Sequence, residues 1–181
     1  MKLENGRPAR IDGRSEKEWT VYELLSLLGI SYDRVDHPAA STIEELADVD
    51  RVLGTRMCKN LFLTNSNHSA YYLLLMPGDK PFKTKELSPQ IGSTRLSFAS
   101  AEDMEKYLHL TPGAVTVLSL AFDAEGAVHL LIDRDLLGEE YIGCHPMVNT
   151  SSLRIKTQDL LERFLPETGH TPTLVDLKGV V

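Results

Sequence analysis

The chain has 181 residues, 42% hydrophobic and 25% charged, which fits one domain or at most two very small ones and excludes whole-chain disorder and fibrous architecture. Its 19 Lys and Arg against 26 Asp and Glu give a formal net charge of -7. That excludes a protein whose affinity rests on wrapping a phosphate backbone, though not one making a small contact with a nucleic-acid end.

Residues 1–14 are polar, carry Gly6, Pro8 and Gly13, and read as a loose leader before a single domain over 15–181. They lack the apolar core of a secretory signal, and the longest apolar run, Tyr71–Met76, is far too short to span a bilayer. Ser15 with Glu18 is a capping-box signature, and Trp19, Tyr22, Leu25 and Leu28 recur at helical spacing before Gly29, predicting a helix over roughly 15–28. Ile30 to Asp36 reads as a strand closed by His37-Pro38. Ser41 with Glu44 opens a second, short helix through about Ala47. Two continuous apolar runs, Cys58–Thr64 and Ala70–Met76, join across residues 65–69 as a hairpin of central strands.

After the Pro77–Pro81 break, Thr84 to Ile91 reads as a short helix interrupted near Pro89, and Arg95–Phe98 as a short strand. Ser100 with Asp103 caps a helix carrying Met104 and Leu108. Ala114–Phe122 and Ala127–Ile132 read as a second hairpin, Tyr141–Pro146 as a loop, and Thr150–Ile155 as a strand. A helix capped by Thr157 runs through Leu165, and Leu174–Leu177 is the last strand. Hairpin-joined strands with interspersed helices predict an α/β fold of the α+β kind: one compact domain whose mixed, mainly antiparallel sheet is flanked by helices.

No strong general motif is present: there is no P-loop, no G-x-G-x-x-G after a strand, no G-x-S-x-G elbow and no H-E-x-x-H. The six histidines show no ligand spacing, so neither metal nor another cofactor is expected. Two cysteines, Cys58 and Cys144, with no C-x-x-C pair, suit free thiols in a reducing cytoplasm. Lys59 opens an apolar strand, where it would meet a phosphate or carboxylate from inside a cleft; position alone favours a solvated lysine. His145 follows Cys144 directly, which disfavours a Cys-His nucleophile pair because neighbouring side chains diverge in extended chain. As a plain turn histidine it needs no ligand; facing a pocket it would donate a hydrogen bond or carry a proton. Asn149, Thr150, Ser151 and Ser152 form a polar cluster just after it, which also reads as turn chemistry before a strand; His37-Pro38 carries a similar ambiguity, and Gly113 within Thr111–Ala114 lets backbone approach a ligand closely. Lys80, Lys83 and Lys85 form the only mid-chain basic concentration, a solvated face or a meeting point with RNA backbone.

Together these segments fall in a recognisable order. His37-Pro38 with Thr42 and Glu44-Glu45, Lys59-Asn60-Leu61-Phe62-Leu63, Arg95–Ser100, Thr111–Thr116, His145-Pro146 with Asn149-Thr150, and Asp159–Leu165 make the chain resemble the YbaK/prolyl-tRNA editing domain family, most closely its freestanding alanyl-tRNA(Pro) deacylases. The likeness covers roughly residues 15–177. It implies a compact mixed-sheet fold and hydrolysis of the ester of mischarged tRNA, typically Ala-tRNA(Pro), by positioned water with help from the substrate 2′-OH. It assigns catalysis to Lys59 and Gly113, and substrate binding to His37, Ala114, Val115, His145, Asn149 and Thr150. It further implies a small contact with the aminoacyl-tRNA acceptor end and prolyl-tRNA synthetase as a partner, without DNA or membrane. One departure stands out: the family loop Gly-x-x-x-Pro falls on Gly113–Val117, so Val117 replaces its proline. That substitution keeps open a non-catalytic module binding the tRNA end or a synthetase, or a deacylase with another amino-acid preference. A Cys144-dependent acyl hydrolase is a weaker third reading.

Overall fold

The computed structural model describes residues 1–9, 13–40 and 42–179, leaving aside the side chain of Ile43. Nine strands form two sheets among the described residues. The strands are β1 (Leu3–Asn5), β2 (Tyr32–Asp36), β3 (Lys59–Thr64), β4 (Tyr71–Met76), β5 (Ser97–Phe98), β6 (Val128–Asp133), β7 (Tyr141–Cys144), β8 (Ser151–Lys156) and β9 (Thr173–Val175). One sheet has the order β1-β2-β8-β7 and is antiparallel throughout. The other runs β5-β3-β4-β6-β9, with β4, β6 and β9 parallel. The mixed, mainly antiparallel character expected from the sequence is present, divided between two sheets.

The unbroken apolarity of β4 follows from its central place. Leu73 and Leu75 enter one core cluster with Val21, Tyr22 and Leu25, while Leu74 and Met76 enter a second with Leu63, Leu131 and Val175. A strand buried on both faces needs no polar alternation. The helix α1 (Glu16–Leu27) starts where the Ser15 side chain accepts from the Glu18 N–H, as its capping signature predicts.

Four readings are corrected. Residues 3–5 are not a loose leader: they pair with β2 in register Leu3↔Val35. The second helix, α2 (Ile43–Leu53), is longer than predicted, and its capping box is Thr42 with Glu45, one residue on from the pair expected; Ser41 lies outside the described residues. It ends at Gly54, whose φ of 76° suits glycine. The predicted strand Ala114–Phe122 is instead a 3-10 helix over Val117–Phe122, opened by Thr116, whose side chain accepts from the Leu118 N–H. An apolar run buried on all sides carries no period by which strand and helix differ. With no hairpin to join, β6 pairs in parallel with β4. Finally, Tyr141–Cys144 is strand β7 rather than a loop, paired to β8.

The remaining helices are α3 (Thr84–Leu87), leading into a 3-10 turn over Ser88–Ile91, α4 (Ala101–Leu108), and α5 (Thr157–Asp159), which continues through a π turn over Leu160–Phe164 into α6 (Leu165–Thr168). The two sheets meet where β7 touches the segment before β3. The Cys58 N–H donates to the Gly143 carbonyl at 3.0 Å, and a Cβ on Gly143 would lie 2.8 Å from the Arg56 carbonyl oxygen. Only glycine permits that approach, and it closes one side of a cavity.

Candidate active site

The cavity, of about 340 Å³, lies at this junction. The antiparallel sheet supplies His37 at the end of β2, and Ser152 on β8, while His145 and Asn149 come from the turn between β7 and β8. The other sheet supplies Lys59 at the start of β3, and the loop after α4 supplies Gly113. Residues distant in sequence therefore converge: of those singled out from the sequence, His37, Lys59, Gly113, His145 and Asn149 all line one space.

The histidines are firmly held. His37 is buried, its Nδ1 2.8 Å from the Pro38 carbonyl and its Nε2 2.8 Å from the Ser152 hydroxyl. A carbonyl only accepts, so Nδ1 carries a proton and donates it there. His145 Nδ1 stands 2.8 Å from the Ser151 carbonyl and so donates to it, leaving Nε2 available. Burial, reinforced by His37, pulls the His145 imidazole below its ordinary 6.5 despite the Ser151 carbonyl, so the ring is neutral at pH 7. The two rings stand 6.4 Å apart.

Behind His145, the Ser151 hydroxyl donates to Asp36 at 2.6 Å, and Arg14 donates to the other oxygen of Asp36 at 2.9 Å. Burial alone would raise the Asp36 pKa, but the Ser151 hydroxyl, Arg14 and Arg34 outweigh it and hold the carboxyl below its ordinary value. The chain of contacts runs from Arg14 through Asp36 and Ser151 to the ring of His145.

Lys59 is half-buried and donates one hydrogen bond, 2.5 Å to the Lys80 carbonyl. Two of its three ammonium protons remain available. Lys80 itself is taken up internally: its amine contacts Asp133 and Asp135, each at 2.7 Å, and the Leu177 carbonyl at 2.6 Å. It belongs to the fold, and the basic group seen in the sequence loses one of its members. Gly113 has φ of 93°, a conformation that side-chain-bearing residues rarely adopt. Val117, at the position of the family proline, donates its N–H to Asn60 Oδ1 at 2.8 Å, a bond proline cannot make. The loop after Gly113 is thus pinned by the residue next to Lys59.

Three expected site residues lie off the cavity wall. Ala114 is buried in the core, and Val115 packs partly buried against the same cluster. Thr150 is exposed, while its carbonyl accepts the His37 N–H at 2.9 Å. Ser152, the last of the polar cluster after His145, does line the cavity, and Met57, Gly78 and the α2 residues Leu46 and Val49 line it without having been singled out. The short helix predicted there ends before Val49. Pro77-Gly78 did signal a turn, and a Cβ at Gly78 would lie 2.1 Å from the Met57 carbonyl, so this wall also depends on glycine.

The thiols are poor nucleophiles. Cys144 is fully buried, which pushes its pKa up, and burial pushes Cys58 up to about 12. A Cys144-dependent hydrolase is thereby disfavoured. No cluster of three or more His, Cys, Asp or Glu suited to a metal ion occurs among the described residues.

A family model described as the aminoacyl-tRNA editing domain matches residues 37–163. The chain is 33% identical to the prolyl-tRNA editing protein ProX of Acetoanaerobium sticklandii, over 84% of this chain and 93% of that one. It is 36% identical to prolyl-tRNA synthetase associated domain-containing protein 1 of Danio rerio, over 92% and 89% respectively. In fold it is similar to a solved structure described as a candidate trans-editing enzyme for prolyl tRNA synthetase, with a TM-score of 0.65 at 19% identity, covering 90% of this chain and 98% of the other.

Proposed function

The chain belongs to the aminoacyl-tRNA editing domain family, and from that premise we propose that it is a trans-editing deacylase hydrolysing mischarged tRNA, with Ala-tRNA(Pro) as its substrate. The observation that carries the reading is the convergence of Lys59, Gly113, His37 and His145 on one cavity from four separate segments. Its volume sits at the small end for ligand sites, suited to a terminal nucleoside bearing a short acyl group.

The reaction asks little of a nucleophile. An aminoacyl ester is already activated, so water needs position and the developing oxyanion needs donors. Lys59, with two protons to spare, holds the terminal nucleotide by its phosphate. The Gly113 N–H faces the carbonyl oxygen as charge develops there. Water attacks the carbonyl carbon, the bond to the ribose 3′-oxygen breaks, and the neighbouring 2′-OH relays a proton to that leaving oxygen. His145, neutral with Nε2 available, accepts a hydrogen bond from the substrate amine or water. Leu46, Val49 and Met57 bound the acyl group with apolar surface, so a proline ring is turned away by exclusion.

Val117 is the observation that favours a second reading, a non-catalytic module binding the tRNA end or synthetase. Its bond to Asn60 counts for the deacylase, because the loop is anchored by other means. Partners under the deacylase reading are the acceptor end, through a contact small enough for a chain of net charge -7, and prolyl-tRNA synthetase as escort, in the cytoplasm. The test is a deacylation time course over a panel of charged tRNAs. Faster ester loss from Ala-tRNA(Pro) than in buffer is expected. Equilibrium binding of an uncharged acceptor stem with no hydrolysis of any charged tRNA would instead select the binding module.

A further inference from the structure

A second, open groove of about 570 Å³ shares Lys59 with the cavity and is otherwise lined chiefly by Leu61, Phe82, Lys83, Lys85 and Phe98. Phe98, on the edge strand β5, is 63% exposed, although burying such a ring would be favourable. Phe82 stands beside it, ring centres 6.2 Å apart at 69°. Lys83 and Lys85 have no side-chain hydrogen bond or ion pair among the described residues. The nearby acids are occupied. Glu86 accepts the N–H groups of Lys178 and Gly179 at 2.9 and 3.3 Å, and Asp79 pairs with Arg56. In a chain of net charge -7 this groove is locally cationic with an open aromatic face.

Such a combination suits single-stranded nucleic acid: lysines follow the backbone, and a base stacks on the ring whatever its sequence. We infer that the groove seats the nucleotide adjacent to the terminal one in the single-stranded acceptor end. Its base lies on Phe98 with Phe82 at the edge, Lys59 meets the phosphodiester joining the two nucleotides, and Lys83 and Lys85 face the next phosphate. The inference rests on the reading that the terminal nucleotide occupies the cavity, since the shared Lys59 sets the order of the two. An acidic peptide would satisfy the lysines but gain nothing from the continuity with the cavity.

The test is equilibrium binding of the full chain to three probes that carry no amino acid, adenosine 5′-monophosphate, the dinucleotide cytidylyl-adenosine and the same dinucleotide with its first base removed, and to a short polyglutamate peptide. The complete dinucleotide is expected to bind about 5- to 30-fold more tightly than the abasic one, the lower part of what aromatic stacking supplies. Phe98→Ala should erase that difference and Phe98→Trp should keep it. With a trinucleotide, Lys83→Gln combined with Lys85→Gln should reduce the salt slope by about 0.7 for each phosphate no longer neutralised. Equal binding of the abasic and complete dinucleotides, an unaltered difference in Phe98→Ala, or preference for an acidic peptide would overturn the inference. The two readings fail separately. Phe98-dependent dinucleotide binding without hydrolysis of any charged tRNA removes the deacylase and keeps the groove, whereas hydrolysis with Phe98-independent binding removes the groove alone.

Discussion

The two walls of the cavity are built on different principles. On the antiparallel sheet, His37 and His145 are each fixed by a backbone carbonyl, and behind them Ser151, Asp36 and Arg14 form a linked set of contacts. On the other wall Lys59 makes one hydrogen bond through a flexible stem, and Lys83 and Lys85 beyond it make none among the described residues. The first wall is preorganised, as the positioning of a water or a substrate amine requires. The second is adaptable, as suits an approaching phosphate chain. Under the proposed function the first wall fixes the histidines and the second meets the phosphates, so damage to each should read out differently.

The largest expected effect is on the adaptable wall. Lys59→Ala should lower kcat/KM for the charged tRNA by about a hundredfold, the scale set by losing substrate position. Its stability should stay within about 0.5 kcal/mol of the parent, as for most exposed or half-exposed sites. Full activity in this variant would remove Lys59 from the site. On the rigid wall, Asp36→Asn should lower both. Arg14 and Arg34 each lose one of two carboxylate partners, keeping Glu18 and Glu4, and Ser151 is loosened behind His145, costing about 1–3 kcal/mol in denaturant unfolding, with a fall in activity alongside. Lost activity at unchanged stability would mean the two walls are not distinct in the way described.

A smaller effect concerns pH. Because burial pulls the folded His145 pKa below its ordinary 6.5, the unfolded chain takes up a proton that the native ring resists. This contribution is fully present above about pH 6.5 and is lost as pH falls toward and through the lowered folded value. Urea midpoints measured from about pH 7.5 down to 5 should fall more steeply in the parent than in His145→Gln. Parallel curves would contradict the assignment. Smallest of all, Cys144→Ala should retain activity, and thiol alkylation should not abolish it, since both thiols are held protonated by burial.

Much of this is legible in the sequence, for identifiable reasons. Capping at Ser15 and the two-sided burial of β4 leave direct chemical traces, the first as a hydroxyl three residues before a glutamate, the second as unbroken apolarity. Lys59, His37 and His145 stand out because each departs from its surroundings: a charge in an apolar strand, or an imidazole beside proline. What sequence does not convey is direction. Ala114 and Val115 sit in the same loop as Gly113 yet turn into the core. The run over Val117–Phe122 is apolar with no helical or strand period, so its 3-10 form leaves no trace. Strand β7 escapes notice because Gly143 and Cys144 read as turn chemistry, whereas Gly143 is there for the backbone packed against it. Lys80 looks like its neighbours, and only Asp133 and Asp135, more than 50 residues away, set it apart.

The most direct test of the central claim is the rate of ester loss from Ala-tRNA(Pro) and Pro-tRNA(Pro) measured side by side with the purified chain. Rapid loss of the alanyl ester is expected, with a prolyl ester that decays no faster than in buffer. Equal hydrolysis of both, or acceleration of neither, would contradict a small-acyl cavity with a rigid wall.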